Sequence, residues 1–123
     1  MPIHVLLAED ESLVAMVLKE VLVDAGFRVT VACDGVEALD AYTADPADIL
    51  VTDIRMPRLD GLSLTAKLRE RAPMLPVVIT TGHLLPDIVM VEPSEARTLV
   101  FTKPVPTNRL LDAIRLALSA DGS

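Results

Sequence analysis

Val51-Thr52-Asp53-Ile54-Arg55-Met56-Pro57-Arg58-Leu59-Asp60-Gly61 lies near the middle of a 123-residue chain. The apolar run from Asp48 to Thr52 reads as a strand that ends at a carboxylate, Asp53. The segment Arg55 to Gly61 carries a proline and an Asp-Gly pair and reads as a loop. Ser63 to Arg71 then reads as a helix, and Pro73 and Pro76 bracket its exit. A strand that hands a carboxylate to a loop and returns through a helix is the repeating unit of a parallel sheet.

The same unit recurs on both sides. Upstream, Ile3 to Ala8 is an apolar run broken only by His4, and it stops abruptly at Glu9-Asp10-Glu11. Such runs read as strands buried on both faces. Ser12 can cap a following helix in which Leu13, Met16, Val17 and Val21 form an apolar face, with Glu20 at its polar edge. Gly26 stands where a helix C′ glycine belongs. Phe27 to Ala32 is a second strand. Asp34 can cap a short helix from Val36 to about Thr43, which Asp45-Pro46 breaks. Downstream, Val77 to Thr80 and Thr98 to Thr102 are further strands. Pro86 to Ala96 is ambiguous, because Pro93 breaks or kinks any helix there. Thr107 can cap a last helix with Leu110, Leu111, Ile114 and Leu118 on its apolar face. The fold class expected is α/β, a doubly wound five-stranded parallel sheet with helices on both faces. Residues 1–120 form one domain, and 121–123 are a frayed tail.

Composition narrows the function. A hydrophobic fraction of 51 % suffices for one core, and the length suits one domain. The net charge of −7 disfavours direct binding to nucleic acid, which rests on basic side chains neutralising phosphates, and disfavours anionic membranes equally. The first eight residues lack the basic start of a signal peptide, and no apolar run is long enough to span a bilayer. The single cysteine, Cys33, reads as a small buried hydrophobe near a strand end, and its solitude fits a reducing compartment. The expectation is a cytoplasmic protein.

In open parallel sheets, sites form beyond the carboxyl ends of the strands. Those ends carry Glu9 and Asp10, then Asp53, then Thr80 and Thr81, then Lys103. Three carboxylates brought together repel and raise one another's pKa values unless a cation joins them. Mg²⁺ fits, since it prefers oxygen ligands and takes few carboxylates from the protein. Lys103 supplies a compact positive charge, and a threonine supplies a hydroxyl donor. The set is what phosphoryl transfer requires, namely charge neutralisation and positioning around a nucleophile. Asp53 can be that nucleophile, because carboxylates form acyl phosphates. Singly, each residue has a plainer reading. Asp10 and Glu11 can be acids at a helix N-terminus, Asp53 a turn residue, the threonines structural, and Lys103 a surface lysine. Their joint occurrence at successive strand ends carries the argument.

These pieces resemble the receiver domain of two-component response regulators along essentially the whole chain. The matching residues are Val5-Leu6-Leu7-Ala8-Glu9-Asp10, Asp53-Ile54-Arg55-Met56-Pro57 with Asp60-Gly61, Pro76 through Gly82, and Thr102-Lys103-Pro104. The resemblance implies strand order 2-1-3-4-5, as in flavodoxin-like folds. It implies that Asp53 accepts phosphate from a histidine kinase or phosphotransfer protein. Asp10 would bind Mg²⁺ directly, Glu9 through water, and Arg55 through its backbone carbonyl. Thr81, next to Gly82, would bond the phosphoryl group and drive the switch. Lys103 would contact the same group, with a cis bond to Pro104. The protein would catalyse only its own phosphorylation and slow autodephosphorylation. A downstream partner would read the face made by the family's fourth helix (here Pro86 to Ala96), the fifth strand and the last helix, with homodimerisation on phosphorylation as a further option. Arg55 and His83 would flank the pocket. One position departs from the pattern. The aromatic usual three residues before the lysine is replaced by Val100, while Phe101 should point into the core. The alternatives are an interaction module of the same fold without phosphotransfer and an aspartyl-phosphate hydrolase, whose Asp-x-Asp-x-Thr pattern the stretch Ala8-Glu9-Asp10-Glu11 lacks.

Overall fold

Five parallel strands run through the centre of the molecule in the order β2-β1-β3-β4-β5. The computed structural model describes residues 2–82 and 98–119. The strands are β1 (His4–Ala8), β2 (Arg28–Ala32), β3 (Ile49–Asp53), β4 (Val77–Thr81) and β5 (Thr98–Thr102). The described helices are α1 (Ser12–Asp24), α2 (Gly35–Ala44), α3 (Gly61–Arg71) and α4 (Thr107–Ser119). The expected sheet and order are both present. Pro86, Pro93, His83 and the expected tail lie outside the described residues, as does the ambiguous stretch 86–96.

The three inner strands are buried along their full length, as their continuous apolar runs require. Alternation sends Leu6, Leu50 and Ile79 to one face, where Ala38 and Tyr42 of α2 and Leu64 and Leu68 of α3 cover them. Val5, Leu7, Val51 and Val78 face the other way, under Leu22 of α1 and Leu110 and Ile114 of α4. Phe101 packs on this second face, as expected, whereas Val100 is exposed.

Local signals place the helices. Gly26 takes φ 100° just past α1, the left-handed conformation of a C′ glycine. Asp34 caps α2 by accepting the Glu37 N–H at 2.8 Å, and Asp60 caps α3 by accepting the Ser63 N–H at 2.7 Å. Two expected caps are corrected. Ser12 is already helical, and the cap position belongs to Glu11, whose side chain makes no capping bond. Thr107 is likewise inside α4, where the Leu110 N–H reaches the Pro106 carbonyl at 3.0 Å.

The expected apolar face of α1 is also corrected. Ala15 and Leu22 are its buried residues, while Leu13, Met16 and Val17 face solvent, Leu13 with 74 % of its surface exposed. Cys33 is exposed rather than buried, its N–H bonded to Glu37 Oε1 at 2.6 Å. Alternation along the edge strand β2 leaves Val31 exposed and Ala32 buried, and Cys33 continues that pattern.

Candidate functional site

Three strand ends converge as expected. Parallel register aligns Ala8 with Thr52 and Asp53 with Thr80, so the residues just beyond β1 and the last residue of β3 meet at one edge. Carboxylate oxygens of Glu9, Asp10 and Asp53 lie within 4.8 Å of one another. Glu9 and Asp53 are buried and Asp10 is exposed. Lys103 arrives from the end of β5, half-buried, and its Nζ sits 3.3 Å from Glu9 Oε1 and 3.1 Å from Asp53 Oδ2. The bond from Lys103 to Pro104 is cis.

Backbone contacts fix these groups. The Lys103 N–H donates to the Thr81 carbonyl at 2.7 Å, tying the lysine to the end of β4. Asp53 Oδ1 accepts the Ile54 N–H at 2.8 Å, which leaves Oδ2 turned to Lys103. Glu9 Oε2 accepts the Glu11 N–H at 3.2 Å. Gly61 backs the end of β3 so closely that a Cβ there would lie 2.1 Å from the Asp53 carbonyl oxygen.

The electrostatics are unbalanced. Burial raises the Glu9 carboxyl above its ordinary value, and the charge of Asp53 adds to the rise, against the Glu11 N–H and Lys103, which lower it. Burial pulls Lys103 down, but its bond to Asp53 and the nearby charge of Glu9 outweigh that and hold it above the usual lysine value. One cation thus serves two buried carboxylates with a third beside them. An all-oxygen donor set of this kind fits a hard divalent cation.

Thr80 and Thr81 are both buried at the end of β4. Thr80 pairs in register with Asp53, and Thr81 extends one residue further toward the edge, paired with Thr102. Arg55 is exposed in the loop beyond Asp53. Two features escaped the sequence reading. Arg58 pairs with Asp34 across the loop, and His4 is buried at the opposite end of the sheet. A basic residue just before Leu-Asp-Gly and a histidine inside a buried strand were the available signals.

A family model described as the response regulator receiver domain matches residues 5–115. Among curated relatives, the DNA-binding transcriptional regulator NtrC of Klebsiella pneumoniae is 44 % identical over 77 residues, covering 63 % of this chain and 16 % of the relative. The transcriptional regulatory protein GlrR of Escherichia coli K12 is 33 % identical over 118 residues, 95 % of this chain and 26 % of the relative. The chain therefore matches only a minor part of the length of such relatives. A solved response regulator receiver protein from Sinorhizobium medicae WSM419 superposes with a TM-score of 0.88 at 30 % identity, covering 97 % of this chain and 96 % of that one. No described helix is long and apolar enough to cross a membrane.

Proposed function

Because this chain belongs to the response regulator receiver domain family, we propose that it is a signalling switch that takes a phosphoryl group onto Asp53 from a histidine kinase or phosphotransfer protein. The observation that carries this reading is the cluster of three carboxylates bridged by Lys103 at the carboxyl edge of the sheet. Asp10 and Asp53, the Arg55 carbonyl and, through water, Glu9 would hold Mg²⁺, which would supply neutralising charge for the phosphoryl oxygens.

The chain's own groups do the rest. The Ile54 N–H holds one Asp53 oxygen, which orients the carboxylate for attack by the other. That oxygen forms a bond to phosphorus while the donor's phosphorus–nitrogen bond breaks, and the electron pair leaves with the imidazole. Lys103, already 3.1 Å from Oδ2, follows the charge onto the phosphoryl group. Thr81 donates its hydroxyl to a phosphoryl oxygen, and its movement is relayed along β4 and β5. The protein's only turnover is its own phosphorylation and slow hydrolysis. Output passes to a protein partner on a face that includes β5 and α4, in the cytoplasm and without direct contact with nucleic acid.

The test is intact mass after incubation with Mg²⁺ and acetyl phosphate. Wild type gains one phosphoryl group, acid-stable and base-labile, and EDTA prevents the gain. Asp53→Asn gains none. An adduct persisting in the variant refutes Asp53 as acceptor, and wild type that stays unmodified despite binding Mg²⁺ favours the interaction module without phosphotransfer.

A further inference from the structure

The loop that follows Asp53 contains the single non-glycine residue with positive φ among the described residues, Arg58 at 69°. The Leu59 N–H donates to the Pro57 carbonyl at 2.8 Å, closing a tight turn over it. A residue with a Cβ is strained in this conformation, and glycine is not. An arginine stays there because its far end is held. Arg58 Nε donates to Asp34 Oδ2 at 3.1 Å, and Nη2 to Oδ1 at 3.3 Å. The planar guanidinium thus grips both oxygens of one carboxylate.

Asp34 is itself fixed. It caps α2 through the Glu37 N–H, and this bond, then the Arg58 guanidinium, keep its carboxyl below the usual aspartate value. A second anchor is steric. A Cβ on Gly35 would lie 2.0 Å from the Leu59 carbonyl oxygen, so the start of α2 is in backbone contact with the loop. At the loop's other end, the Gly61 N–H donates to the Ile54 carbonyl at 2.7 Å. The chain from Ile54 to Gly61 is therefore pinned at both ends and at its apex. Arg58 is 60 % exposed, so the ion pair adds little to global stability. Its effect falls on the geometry of the loop.

We propose that Arg58 is a positioning residue: clamped on Asp34, it fixes the loop backbone so that the Arg55 carbonyl is presented to the Mg²⁺ held by Asp10 and Asp53. The inference rests on the Mg²⁺-dependent reading above. The experiment measures Mg²⁺ affinity by calorimetry, with thermal midpoints alongside. Arg58→Gly relieves the strain but releases the clamp, and affinity falls about tenfold, as for other groups that orient a metal ligand. Its thermal midpoint stays level or rises. Asp34→Asn keeps a good helix cap while losing the charge, and it weakens Mg²⁺ to the same extent. The double variant is no weaker than either single one, and Arg58→Lys retains part of the affinity.

Arg58→Gly binding Mg²⁺ as tightly as wild type overturns the proposal. So does a double variant whose losses simply add. Phosphoryl acceptance by wild type decides the functional reading separately. No adduct, together with weakened Mg²⁺ binding in Arg58→Gly, refutes the reading and keeps the clamp. A normal adduct with unchanged Mg²⁺ affinity does the reverse. Wild type that binds no Mg²⁺ overturns both.

Discussion

The two ends of the sheet bury polar groups on opposite terms. At the amino end, His4 is 3 % exposed, and its ring is matched on both sides. Nδ1 lies 3.0 Å from the Pro46 carbonyl and Nε2 2.7 Å from Thr30 Oγ1. The His4 N–H donates to Asp48 Oδ2 at 2.8 Å, and Arg28 closes the group by pairing with Asp45 at 2.6 Å. Every group named there has its own hydrogen-bond or ion-pair partner, with Arg28 in the field of both Asp45 and Asp48. At the carboxyl end, Lys103 answers to Glu9 and Asp53 together, with Asp10 beside them. A closed network ties β1 to β2 and to the turn before β3. An unbalanced one keeps, among the described residues, a deficit of positive charge that a ligand can fill.

The largest effect expected comes from breaking the carboxyl end mechanically. Gly61→Ala would push a methyl group into the Asp53 carbonyl and should lower the unfolding free energy by about 3 kcal/mol, read from urea denaturation. Phosphoryl acceptance should fall with it even where the variant is folded. Retention of both stability and acceptance would show that the acceptor strand needs no such close support.

The amino end should be separable. His4→Leu leaves Thr30 Oγ1 and the Pro46 carbonyl without their partner and should cost about 2 kcal/mol. Mg²⁺ affinity and adduct yield should remain those of wild type under folding conditions. A shift in either would mean that the two ends are coupled through β1, and the contrast would fail.

The smallest effect is on pH, where the two ends have opposite signs. Glu9 is raised above 4.5 in the fold, chiefly by burial, so its ionised form costs stability at neutral pH. That cost is relieved as pH falls through the folded value toward 4.5. Asp45 is lowered below 3.8, chiefly by its bond to Arg28, so its contribution is complete above 3.8 and is lost as pH falls below it. Without Mg²⁺, the thermal midpoint should therefore rise from pH 7 toward pH 5, both approximate settings on either side of the Glu9 transition. It should drop again in stronger acid. Glu9→Gln should flatten the upper limb and Arg28→Ala should shrink the lower drop. A midpoint that falls steadily from neutral pH would contradict the imbalance at the site.

The inner strands and the strand-end residues were legible because burial on both faces leaves continuous apolar runs, and because parallel strands deliver their last residues to one edge. The caps at Asp34 and the C′ role of Gly26 were legible for local reasons. The orientation of α1 was not. Between Leu13 and Val23 apolar residues occur on nearly every side, so periodicity does not select the face that packs. Cys33 misled because a small apolar residue at the end of an edge strand does not report its face, and alternation puts it on the exposed side with Val31. The Arg58 clamp joins residues 24 positions apart, and the basic residue before Leu-Asp-Gly signals one partner without naming the other.

The outward face of α1 has a practical corollary. Leu13, Met16 and Val17 place greasy surface in water on a molecule whose copies are kept apart by a charge of −7. Added electrolyte shortens the reach of that repulsion, to about 10 Å at 0.1 M, while leaving the attraction between apolar surfaces intact. Colloidal stability should therefore be greatest in dilute buffer, and concentrated stocks are best prepared at low ionic strength.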